Sequence, residues 1–107
     1  MPKPRSLAVA LLPLVAALAA CGGDDPRKLT ESLDSWSATV YTGTNAVRLG
    51  WVPRRYGVQL RDRATAALNE ARDKGTPGAS PAEARAVADA EQRLAAAVDT
   101  LRAVVGS

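Results

Sequence analysis

The chain has 107 residues, no His, no Phe, one Cys and a formal net charge of +3 at pH 7. A single Cys excludes an internal disulfide, and without His the usual near-neutral base and metal ligand is missing. The length allows one small domain, and much of its apolar content is Ala, so little area is buried per residue at about 25 cal/mol per Å². Chains of this kind gain from partners or from close helix packing.

Lys3 and Arg5 precede an apolar run from Leu7 to Ala20. The run is shorter than the ~20 residues a membrane span needs, and Pro13 disfavours a continuous helix through it. It ends in Leu18-Ala19-Ala20-Cys21, with small residues before the sole Cys. Residues 1–21 resemble the signal peptide and lipobox of bacterial lipoproteins. The resemblance implies cleavage before Cys21 by signal peptidase II, a thioether-linked diacylglycerol on its sulfur and an acylated amino group. No other cofactor is expected. Two or three acyl chains anchor a protein stably, where one is marginal. The competing reading is an ordinary secretory signal with a chance Cys. In enteric lipoproteins an Asp directly after the lipidated Cys favours the inner membrane. Gly22 stands there in this chain, so the resemblance implies the periplasmic face of the outer membrane. Loss of residues 1–20 removes Lys3 and Arg5 and takes the formal charge from +3 to +1, which gives no support to nucleic-acid binding.

Residues 21–25 form the lipidated Cys and a short tether, and residues 26–107 form the domain. Pro26 suits the first turn of a helix capped by Asp24 or Asp25. Leu29, Leu33, Trp36, Val40, Gly43 and Val47 follow at alternating spacings of four and three, a helical stripe with no competing strand alternation. Gly50, apolar Trp51 and Pro53 mark the end, so the first helix covers about 26–49. A second is expected over 53–74, with a stripe of Tyr56, Leu60, Ala64, Ala67 and Ala71 and with Leu68 beside it. Gly57 weakens its first turn by about 1 kcal/mol relative to Ala. Lys74-Gly75 ends it, and Thr76-Pro77-Gly78-Ala79 reads as a loop. The third helix, 81–105, begins with Ser80 as cap, Pro81 in the first helical position and Glu83 completing a capping box. Ala84, Val87, Ala90 or Glu91, Leu94, Ala97 or Val98, Leu101 and Val104 or Val105 make its stripe. Charge pairs of opposite sign stand four apart at Glu70/Lys74, Arg85/Asp89 and Asp89/Arg93. Short connections make neighbouring helices antiparallel. The expected fold is all-α, an up-down-up three-helix bundle; the alternative is a helical hairpin whose third helix packs elsewhere.

Nothing in the domain commits to catalysis. Cys21 is not a free thiol once acylated, the acids lack metal-site spacing, and there is no Gly-rich phosphate loop. The chain reads as a non-enzyme without a metal site.

The most pointed segment is the turn between the first two helices. From Arg48 to Arg63 there are five Arg and one acid, Asp62, around Trp51 and Tyr56. Arg54 and Arg55 stand in a helix's first turn, where cations are disfavoured by about 0.3–1 kcal/mol each. Either they face the carbonyl end of the first helix while Trp51 and Tyr56 plug the bundle, or the turn is an exposed aromatic and Arg patch of the composition found at protein interfaces. Trp51, Arg54, Arg55 and Tyr56 are therefore the candidate partner-binding residues. With a tether of only a few residues, an upright bundle puts them at the tip remote from the membrane, whereas a bundle lying flat brings the same Arg residues to anionic head groups. Ser32, Ser35, Thr39 and Thr42 form a polar line on the first helix, read as an exposed flank or as a groove for a partner helix. The expected function is that of a lipid-anchored envelope protein, working as an accessory or scaffold through contact with a protein partner or a second copy. The alternative is a binding module for anionic envelope polymer or lipid head groups, through the Arg-rich turn 48–63.

Overall fold

The computed structural model describes residues 25–106, and the signal peptide, Cys21, most of the tether and Ser107 lie outside the described residues. Three helices carry the fold: α1 over Pro26–Arg48, α2 over Arg54–Lys74 and α3 over Pro81–Val105. No strand occurs among the described residues, and all three helices pack on one another. The fold is an all-α three-helix bundle. No helix among the described residues is long and apolar enough to cross a membrane.

Each start has a local cause. Asp25 caps α1, its carboxylate accepting from Arg27 N at 2.9 Å. At α3, Glu83 N donates to Ser80 Oγ at 3.1 Å and Ser80 N donates to Glu83 Oε1 at 2.9 Å, so the capping box closes in both directions. α2 begins one residue later than the pattern suggests. Pro53 is its cap residue rather than its first helical one, and no side chain caps that end. Pro53 sits at ψ 155, in the extended region, which holds it outside the helix.

The core is a column of Leu and Val separated by Ala. Leu33 and Val40 come from α1, Leu60, Ala64, Leu68 and Ala71 from α2, and Val87, Ala90, Leu94, Ala97, Val98, Leu101 and Val105 from α3. α3 contributes the most buried residues and packs on both other helices, so the hairpin alternative does not hold. The ions match this arrangement only in part. Lys74 Nζ pairs with Glu70 Oε1 at 3.0 Å within α2. Arg93 turns away from Asp89 and bonds Asp34 on α1 at 2.9 and 3.1 Å. Both partners are about half exposed, so the pair adds little stability.

Two features depart from the stripes read in the sequence. In α2 the core position is Gly57, and Tyr56 is 42% exposed. A Cβ on Gly57 would stand 2.7 Å from Val105 Cγ1 and 3.0 Å from Val47 Cγ2. The three helices meet there too closely for any side chain, so Gly57 is a packing residue and not merely a weak helix former. In α1, Ser37 and Thr44 are buried beside the apolar stripe. Their hydroxyls donate to their own helix, Ser37 Oγ to Leu33 O at 3.2 Å and Thr44 Oγ1 to Val40 O at 2.7 Å. That satisfies them without a cross-helix partner.

Candidate functional site

The end of the bundle is set by the α1–α2 turn. Gly50 takes φ 76, a left-handed conformation open to Gly at little cost. Gly50 N then donates to Val47 O at 3.0 Å, and Trp51 N to Ala46 O at 2.9 Å. This bonding satisfies two of the last carbonyls of α1 and reverses the chain at once. It also carries the Trp51 side chain off the end of the helix, where it is 76% exposed.

Trp51 therefore does not plug the bundle. Val47, Leu101 and Val105 close around Gly57 instead, each within 3.5 Å of where a Cβ on Gly57 would stand. Tyr56 is exposed but leans on α1: its Cε2 lies 3.5 Å from where a Cβ on Gly43 would stand. Leu49, which the sequence stripe did not single out, is 59% exposed beside them. The signal was present. Leu49 follows Val47 by two residues, which places it about 200° around the helix and opposite the core. Tyr41, farther along α1, is 48% exposed.

The Arg residues of the turn divide by role. Arg54 Nε donates to the carbonyl of Val105 at the end of α3. The cation in the first turn of α2 is thus offset by the negative end of α3, a different helix from the α1 end expected from chain proximity. α2 runs antiparallel to α3, and its first residue lies beside the last of α3. The expected result of Arg54→Ala is a loss of about 1.5–3 kcal/mol, the usual worth of a hydrogen bond to a charged group. Urea unfolding followed by circular dichroism checks it.

Arg61 pairs with Asp62 at 2.9 Å, and Arg102 with Asp99 at 3.0 Å. These pairs engage the two acids of this half of the molecule. Arg48, Arg55 and Arg63 have no ion pair among the described residues. Of the candidate residues, the structure thus brings Trp51, Arg55 and Tyr56 to one exposed end with Leu49 and assigns Arg54 to the fold. Of the polar line on α1, Ser35, Thr39 and Thr42 are exposed and Ser32 is half-buried. Among the described residues no group of three acids or Cys is placed to hold a metal ion. Compared with known proteins, the chain matches no protein-family model, no curated protein and no solved structure.

Proposed function

We propose that the protein is a lipid-anchored, non-catalytic scaffold of the bacterial envelope that presents the end of its bundle to a protein partner. Cys21 is the lipidation site, and the periplasmic face of the outer membrane is its place. The observation that carries the reading is the exposure of Trp51, Leu49 and Tyr56, at 76%, 59% and 42%, on a bundle whose core closes without them. Exposed Trp and Tyr amid Arg is the side-chain set enriched at protein interfaces. α1 spans about 34 Å at 1.5 Å per residue, so on an upright bundle the tip stands that far from the anchored end. The partner is another envelope protein or a second copy of this chain. A binding module for anionic polymer would draw on the same Arg residues, yet gives Leu49 and Trp51 no apolar surface to meet.

Photo-crosslinking in cells tests the reading, with benzoylphenylalanine in place of Trp51 in the full chain. The expected result is a discrete protein adduct in the membrane fraction. Cys21→Ser is expected to abolish acylation, leaving an uncleaved precursor or a soluble product, and to remove the adduct. Absence of any adduct from a folded, membrane-bound protein would overturn the scaffold reading, and continued acylation of Cys21→Ser would overturn the anchor.

A further inference from the structure

At the tip both acids are taken up in ion pairs, whereas acids outside ion pairs remain at the other end. Around Leu49, Trp51 and Tyr56 stand Arg48, Arg55 and Arg63, while Asp62 and Asp99 are already engaged by Arg61 and Arg102. At the opposite end the cations outside ion pairs are interleaved with Glu31, Asp73, Asp89 and Glu91. The three tip cations are all Arg, whose planar fork takes a carboxylate through two parallel hydrogen bonds. Their arrangement is not planar. Arg48 adjoins Leu49 at the end of α1, and Arg55 adjoins Tyr56. Arg63 follows Tyr56 by seven residues, hence on the same face of α2 and about 10 Å farther down the side of the bundle.

From this we infer, on the basis of the scaffold reading above, that the partner is a protein with a concave acidic surface. Trp51 and Leu49 enter an apolar cleft, and carboxylates on its walls take Arg48, Arg55 and Arg63. A bilayer meeting the tip end-on is flat and leaves Arg63 well above it, whereas a cleft wall reaches it. Arg54 is set apart from these three because its Nε is already bonded to the Val105 carbonyl, so its replacement would disturb the fold as well.

The test is the same crosslink from position 51 in two charge-matched backgrounds. Arg48→Gln, Arg55→Gln and Arg63→Gln together are expected to cut the adduct yield by about tenfold or more, since buried charge-assisted contacts govern release of a partner. Arg27→Gln, Arg72→Gln and Arg85→Gln together remove the same charge from the other end and are expected to leave the yield within about twofold. Equal helicity by circular dichroism shows that both variants fold. The adducted peptide of the partner is expected to be rich in Asp and Glu. Charge reversal of those acids is expected to lower the yield with the wild-type tip and to restore it in the combined Arg48→Glu, Arg55→Glu and Arg63→Glu variant. A protein adduct indifferent to the tip Arg residues, or equally weakened by both triple variants, overturns the acidic-cleft inference and leaves the scaffold reading standing. A lipid adduct in place of a protein overturns both and makes an anionic bilayer the occupant.

Discussion

Gly57→Val is expected to destabilise the bundle by about 3 kcal/mol or more, through overpacking at the point where the three helices meet. The added carbons have nowhere to go. A Cβ alone would lie 2.7 Å from Val105 Cγ1, 3.0 Å from Val47 Cγ2 and 3.5 Å from Leu101 Cδ1. Val47 and Val105 are β-branched, with one strongly favoured rotamer in a helix, so their methyls cannot swing aside cheaply. Gly43 also makes a close approach, but there the nearest atom is the terminal methyl Cδ2 of Leu60, at the end of a side chain that turns more freely. Helix propensity by itself gives the opposite sign at Gly57, since nearly any residue improves on Gly in a helix, by up to about 1 kcal/mol. Urea unfolding of the wild type, Gly57→Ala and Gly57→Val decides between the two. Progressive loss of stability along the series is the expected outcome; progressive gain would show that the helices do not meet as closely as Val47, Gly57 and Val105 indicate.

Leu94→Ala is the second large effect, at about 2–5 kcal/mol. Leu94 is fully buried, at 0% exposure, near the middle of α3. The core has few large side chains to fill a void, because Ala64, Ala71, Ala90 and Ala97 are among its buried residues. In a core with so few large side chains, one Leu is a large share of the buried apolar area. A domain of this size is stable by only about 4–12 kcal/mol at 0.05–0.15 kcal/mol per residue. The melting temperature should fall by about 10 °C or more. Leu49→Ala removes the same atoms from a site that is 59% exposed, and is expected to change stability by no more than about 0.5 kcal/mol. Thermal melts of the two variants together separate burial from hydrophobicity. Equal shifts would mean that Leu49 is packed in the fold and is not part of an open surface.

The helices were legible because each carries its own punctuation. Asp25 with Pro26, Gly50 with Pro53, Lys74 with Gly75 and Ser80 with Pro81 and Glu83 act through bonds within a few residues, so local sequence suffices to read them. The stripes of α1 and α3 were legible for a similar reason: Leu33, Val40, Val87, Leu94 and Leu101 are large and apolar at helical spacing. The α2 stripe of the structure starts one residue later than the sequence pattern, because a period-based reading prefers Tyr56 over Gly57. Only the distance between helices shows that a Gly fills that position. Ser37 and Thr44 carry no sequence signal for burial, because burial there depends on the width of the packed face and their polarity is cancelled within the helix.

The candidate site divides along the same line. By its sequence alone the chain determined that Trp51, Arg54, Arg55 and Tyr56 cluster at a turn between helices, because adjacency in sequence is enough for that. It also determined the three helices and the antiparallel run of chain neighbours, since the connections are short, while the packing of α3 on both other helices was left to the tertiary structure. Tertiary structure decided which members of the cluster face solvent. Val47, Leu101 and Val105 close around Gly57, and Trp51 stays outside that packing, exposed. The third helix, distant in sequence, supplies the Val105 carbonyl that holds Arg54. Which cation binds within the fold and which stays open depends on contacts tens of residues apart, and no local pattern encodes those.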